Sequence, residues 1–147
     1  MIESAIIEEN ALMNIEEDYY NRLFNGRLSP GQKDPENKKT RKEFPFQTMW
    51  ELFVYATILG IKEGRTKTIS KQHKPFRWGN ISNLHQKNLL LLVTAKSNSL
   101  EFLKDGDAVK RAIEEYANCG LGIINQEIKN NPSAYSSLEE LTYRLMG

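Results

Sequence analysis

Arg65, Lys67, Lys71, Lys74 and Arg77 recur at steps of two to four residues in a stretch that also holds Phe76 and Trp78. Cations at that density can follow a phosphate backbone, and an aromatic ring among them can support a sugar or base. The same stretch can be a solvated loop, or can match an acidic segment of its own chain or of a neighbour. Electrostatics alone does not separate nucleic acid from an acidic protein surface. Trp78, next to Gly79, suits a core position as well as a stacking one. The charge pattern around these residues is polarised. Residues 1–21 carry six acids and no Lys or Arg, whereas residues 64–100 carry seven basic groups and no acid, inside a chain whose formal net charge is only +1. A basic block without acids makes a local positive potential that the total conceals.

The inventory for catalysis is thin. His73 lies in a polar stretch, and His85 is followed by no acid until Glu101, so both read as surface histidines. Cys119 sits between Asn118 and Gly120 with no basic group close in sequence, which gives its thiol no reason to be activated. One cysteine and two histidines cannot make a Cys/His zinc site, and no internal disulfide can form. The acid pairs Glu16-Glu17, Glu114-Glu115 and Glu139-Glu140 are adjacent in sequence, which points them about 100° apart on a helix, so they read as solvated faces. No phosphate-binding glycine loop and no HExxH occurs. The expectation is a protein with no catalytic residues, no metal and no cofactor.

The elements that must position the basic stretch are helices. Thr48 and Glu51 have capping-box spacing, which predicts a helix starting near Met49. Leu52, Phe53, Ala56, Leu59 and Gly60 then share one face, and Gly64 can take the left-handed conformation that closes it. Phe46 is placed to fold back on Trp50 as a staple. Residues 64–79 show no helical period and only a short β-like piece at Thr66 to Ile69, so they read as a basic loop or hairpin. Asn80 or Ser82 can cap the next helix, whose Leu84, Leu91, Leu92 and Ala95 share a face while Leu89, Leu90 and Val93 widen it. Such an all-round apolar helix is expected to be central.

Asp107 can cap a long amphipathic helix with Val109, Ile113, Tyr116, Ala117, Gly120, Leu121, Ile124 and Ile128 on one face. Gly120 and Gly122 inside it each cost about 1 kcal/mol against Ala, which calls for close approach of another helix. Ser136 with Glu139, or Ser137 with Glu140, caps a last helix along Leu138, Leu141 and Leu145. Residues 2–24 read as one or two helical pieces, with the first few also compatible with a strand. Residues 28–43, rich in Pro, Gly and polar groups, read as a flexible loop. The sum is a mainly α, compact bundle of five or six helices in one domain, 1–147, with a basic loop or small hairpin between two central helices.

A chain of 147 residues can bury a core without disulfides or metals. Acids stand near the N-terminus where a signal peptide needs a basic leader, and the longest apolar run, Leu89 to Val93, cannot span a bilayer. The expected setting is the cytoplasm, away from membrane.

Two stretches, ELFVYATILGIKEGR at residues 51–65 and EEYANCGLGII at residues 114–124, resemble the small proteins called DNA phosphorothioation-associated protein 4. These are encoded beside bacterial dnd systems that place sulfur in the DNA backbone and in some cases restrict unmodified DNA. The resemblance implies an accessory factor of a modification and defence system, and it brings no active-site motif onto this chain. Expected partners are DNA and other proteins of the same modification or restriction system. Arg65, Lys67, Lys71, Lys74, Arg77 and Trp78 are the candidate contact residues. The alternative is a structural interaction module or small homo-oligomer, in which the acidic N-terminal segment docks on the basic block of a second subunit.

Overall fold

A computed structural model describes residues 6–30, 44–132 and 137–146. Strand β1 (Leu12–Glu16) runs into a single helical turn, α1 (Glu17–Tyr19), continued by a π turn at Tyr20–Phe24. Helix α2 (Met49–Glu63) is followed by strand β2 (Gln72–Arg77), helix α3 (Asn83–Ser97), the long helix α4 (Gly106–Asn130) and helix α5 (Leu138–Met146). The fold is mainly α, with one antiparallel two-stranded sheet.

Local signals set α2 as its sequence suggests. The Thr48 hydroxyl accepts the Glu51 amide at 3.3 Å and donates to the Glu51 carboxylate at 2.7 Å. Gly64 closes the helix at φ 76°, a conformation that costs a side-chain-bearing residue about 1–2 kcal/mol. The Phe46 ring meets Tyr55 edge-on at 5.1 Å, and the Trp50 ring meets His85 edge-on at 5.5 Å.

The apolar faces of α2 and α4 cross at the centre of the core. A Cβ on Gly120 would lie 1.9 Å from the Ala56 carbonyl oxygen, and one on Gly60 would lie 1.9 Å from that of Tyr116. Two glycines thus let the backbones touch, one from each helix. Val109, Ile113, Ala117, Leu121 and Ile124 of α4 are buried against this crossing. The cap of α4 is Asp105, which accepts the Ala108 amide at 3.1 Å, and the expected cap, Asp107, lies inside the first turn. Ser137 accepts the Glu140 amide at the start of α5, and the Tyr55 hydroxyl bonds Thr142 to tie that helix to α2. Ser136 lies outside the described residues.

Three expectations fail, each for a tertiary reason. Residues 12–16, expected to be helical, form β1, because alternation buries Met13 and Ile15 and because β2 supplies the hydrogen-bonding partner. The strand in the basic stretch is Gln72–Arg77 and pairs with β1, whereas Thr66 to Ile69 is not a strand and no hairpin forms inside residues 64–79. Met13 and Ile15 face Phe76 and His73, so two β2 residues, Lys74 and Pro75, oppose the single Asn14, which is a β-bulge. Helix α3 is peripheral: it buries Gln86, Leu89 and Val93, while Leu84 and Leu91 are 66% and 69% exposed. Of the expected loop 28–43, Leu28 and Ser29 are buried and hold backbone bonds to Leu23, Gly26 and Phe46, and residues 31–43 lie outside the described residues.

Candidate functional site

The basic stretch leaves α2 at Gly64 and is clamped from two sides before it becomes β2. On one side, the Lys67 amide donates to the Glu115 carbonyl at 3.0 Å. The side-chain amide of Asn118, 1% exposed, donates to the carbonyls of Lys67 and Thr68 at 3.1 and 3.2 Å. On the other side, the Glu16 carboxylate accepts the Ser70 and Lys71 amides at 3.0 and 2.8 Å and the Ser70 hydroxyl at 3.0 and 3.1 Å. Partial burial works to raise the Glu16 pKa, but these donors and the charge of Lys67 hold it below the ordinary carboxylate value. The Glu17 amide donates to the Lys71 carbonyl at 2.8 Å, and its carboxylate pairs with the Lys71 ammonium at 3.0 Å. Acids of the N-terminal segment therefore meet the basic block within one chain, without a second subunit.

The clamps distribute the candidate contact residues over three places. Arg65, paired with Glu63 at 2.7 Å, and Lys67 lie beside the C-terminal half of α4. The Lys67 ammonium bonds the Tyr19 hydroxyl and sits 4.9 Å from the centre of that ring. Lys71 faces α1, in an open hollow of about 700 Å³ that Lys67 also borders and that holds Glu16, Glu17 and Asp18. Lys74 and Arg77 are exposed on β2 and have no ion pair among the described residues. Trp78 is a correction. At 2% exposure it belongs to the core, with its carbonyl accepting from Gln86 at 3.1 Å, and its ring is withdrawn from any ligand at the surface.

The acid pairs also differ from expectation. Glu114, only 5% exposed, is not on a solvated face: it accepts the Asn14 amide at 2.6 Å and the Lys110 ammonium at 2.8 Å. Its carboxylate thereby covers an amide of β1 that β2 does not use. Glu16, Asn118 and Tyr19, which hold the basic stretch, were not recognised in the sequence. Their partners lie 48 to 55 residues away, and no local spacing announces them.

His73 tilts against Tyr20 with ring centres 3.9 Å apart, and its Nε2 is buried with no hydrogen-bond partner among the described residues. His85 Nδ1 lies 2.6 Å from the Ser82 hydroxyl, a nucleophile-and-base distance, but that hydroxyl also accepts the His85 amide and caps α3. No carboxylate among the described residues bonds the ring to complete a triad. Burial pushes the Cys119 thiol up, against the opposing charge of Arg65. Among the described residues no three His, Cys, Asp or Glu side chains come together to hold a metal ion, and no helix is long and apolar enough to cross a membrane.

Residues 36–145 match the family described as DNA sulphur modification system-associated protein 4, and the chain belongs to that family. No curated protein matches the chain, and no solved structure does.

Proposed function

We propose that this member of the family is a non-catalytic, intracellular accessory component of a bacterial DNA sulphur modification and restriction system, and that it contacts DNA through the clamped basic stretch. The observation that carries the reading is the run of seven basic and no acidic residues between 64 and 100, from which β2 presents Lys74 and Arg77 to solvent without an ion pair among the described residues. Cations held on a fixed backbone give up counterions when they neutralise phosphates, which makes binding steeply salt-dependent. Lys71 contributes less, since Glu17 already offsets it. Charge reversal of Lys71, Lys74 and Arg77 together is expected to weaken retention of duplex DNA and to flatten its salt dependence by about two to three units of slope. Unchanged retention would remove DNA as the ligand of this stretch.

A second reading concerns a protein partner, and the exposed leucines of α3 favour it. Leu84 and Leu91 stand seven residues apart, hence on one face, with only basic charges, Lys87 and Lys96, on that helix. A protein of the same system with an apolar, acid-flanked surface would fit. Co-purification with each co-expressed protein of the system, repeated with Leu84→Glu/Leu91→Glu, tests it. The reading fails when that variant retains every partner.

A further inference from the structure

The basic residues of the loop do not end the positive surface. Arg65 and Lys67 form one wall of an open groove of about 610 Å³ whose other wall is the C-terminal half of α4, from Cys119 to Lys129. A second hollow of about 540 Å³ shares Asn125 and Lys129 with it and adds Arg22 and Arg27. Along the two, five cations face the carboxylate of Asp18, which Arg22 already holds at 2.9 Å, while Arg65 is paired with Glu63 at 2.7 Å and Lys67 also borders the hollow of Glu16 and Glu17. Lys129 and Arg27 are exposed and have no ion pair among the described residues.

The floor of the groove explains a residue that helix packing left over. Gly120 admits α2, but a Cβ on Gly122 would instead come within 3.0 Å of the Tyr19 hydroxyl and 3.8 Å of the Lys67 ammonium. Gly122 therefore leaves room for the Tyr19 phenol against the helix, and that phenol bonds the Lys67 ammonium. From Gly122 to Lys129 is seven residues, roughly 10 Å along the axis. At about 3.4 Å of rise per nucleotide, that distance matches about three steps of a nucleic-acid strand. Asn125 and Gln126 add amide side chains along the same line, and such groups donate to phosphate and sugar oxygens.

We infer that this groove is a second contact site, taking the sugar-phosphate backbone of a nucleic acid along the path Arg65, Lys67, Lys129, Arg27. The inference rests on the DNA reading above and extends it from Arg65 and Lys67 of the basic stretch to Lys129 and Arg27. The chain's only cysteine, Cys119, lies half-buried in the groove wall and serves as a reporter.

The test is fluorescence anisotropy of labelled 12-nucleotide single strands and 12-base-pair duplexes, with the rate of Cys119 alkylation by a maleimide read on the wild-type protein in parallel. Arg27→Glu/Lys129→Glu should weaken binding at least tenfold and lower the salt slope by about 1.8 on duplex or 1.4 on single strands. Lys62→Glu/Arg111→Glu, with the same change of net charge on exposed residues outside the basic run and away from the groove, should weaken it far less. DNA should slow the alkylation severalfold, a result that depends on no variant. Equal weakening by both double variants, or an alkylation rate indifferent to DNA, overturns the groove. Polyglutamate protecting Cys119 as well as DNA at equal charge concentration assigns the groove to an acidic protein chain and also overturns it. If Lys71→Glu/Lys74→Glu/Arg77→Glu abolishes binding while Arg27→Glu/Lys129→Glu binds as tightly as wild type, the groove alone falls. If the wild-type protein binds no DNA, the earlier reading falls with it.

Discussion

The α2–α4 crossing and the corner where β1 and residues 65–71 meet α4 solve the same problem of holding α4 in opposite ways. At the crossing, Gly60 and Gly120 bring two helices into backbone contact and bury Leu52, Phe53, Ala56 and Leu121 around them. At the corner, Glu16, Glu114 and Asn118 fasten backbone amides and carbonyls that no ladder or helix satisfies. The first depends on shape and the second on polar partners. Rigidity without charge thus lies at the centre, and charge on a fixed backbone lies at the rim, where a ligand can reach it.

The sharpest way to break this contrast is Gly120→Val. Its Cβ would overlap the Ala56 carbonyl, a backbone atom with little room to move, so a loss of about 3 kcal/mol is expected, lowering the melting temperature by roughly 10 °C. A melting temperature within two degrees or so of wild type would mean the crossing is loose.

Glu114→Ala attacks the corner. It strands the Asn14 amide and leaves Lys110 without its partner, so urea denaturation should show a loss of about 2–3 kcal/mol, a smaller effect than the clash. A loss under about 0.5 kcal/mol would show that water replaces the carboxylate. Thr48→Ala removes the α2 cap and should cost about 1 kcal/mol in the same assay.

The smallest effect is the titration of Glu16. Its folded pKa lies below its unfolded one, so its contribution is complete above the ordinary carboxylate range and is lost as pH falls through the lower folded value. Amide exchange at Ser70 and Lys71, corrected for intrinsic pH dependence, should lose protection over that acidic window in the wild type and be flat in Glu16→Gln. Identical profiles would assign the clamp to Asn118 and Glu115.

The crossing was largely legible in the sequence, and the corner was not. Thr48, Glu51 and Gly64 act within a few residues of themselves, and the apolar face of α4 declares itself through its period. Gly120 and Gly122 look alike in sequence, yet one admits α2 and the other makes room for the Tyr19 hydroxyl. Leucine content suggested a central α3, but Leu84, Leu91 and Leu92 have no facing element among the described residues. Leu12–Glu16 reads as helix in the sequence and becomes a strand only because Gln72–Arg77 is brought alongside. The basic run itself was legible as composition. Its division among three places, and the joining of Arg65 and Lys67 to Lys129, depend on where α4 passes.

The capped amide of Asn14 and the bulge at Lys74 and Pro75 bear on how this corner can be recognised at all. A two-stranded sheet ordinarily offers two edges on which a foreign strand can add. Here a carboxylate occupies an amide of β1, and in β2 the bulge breaks the repeat where Pro75 has no amide to give. Both features disfavour main-chain templating at this corner. A ligand of this corner would then be held chiefly by side chains, and salt concentration, more than its ability to become extended, would decide whether it stays.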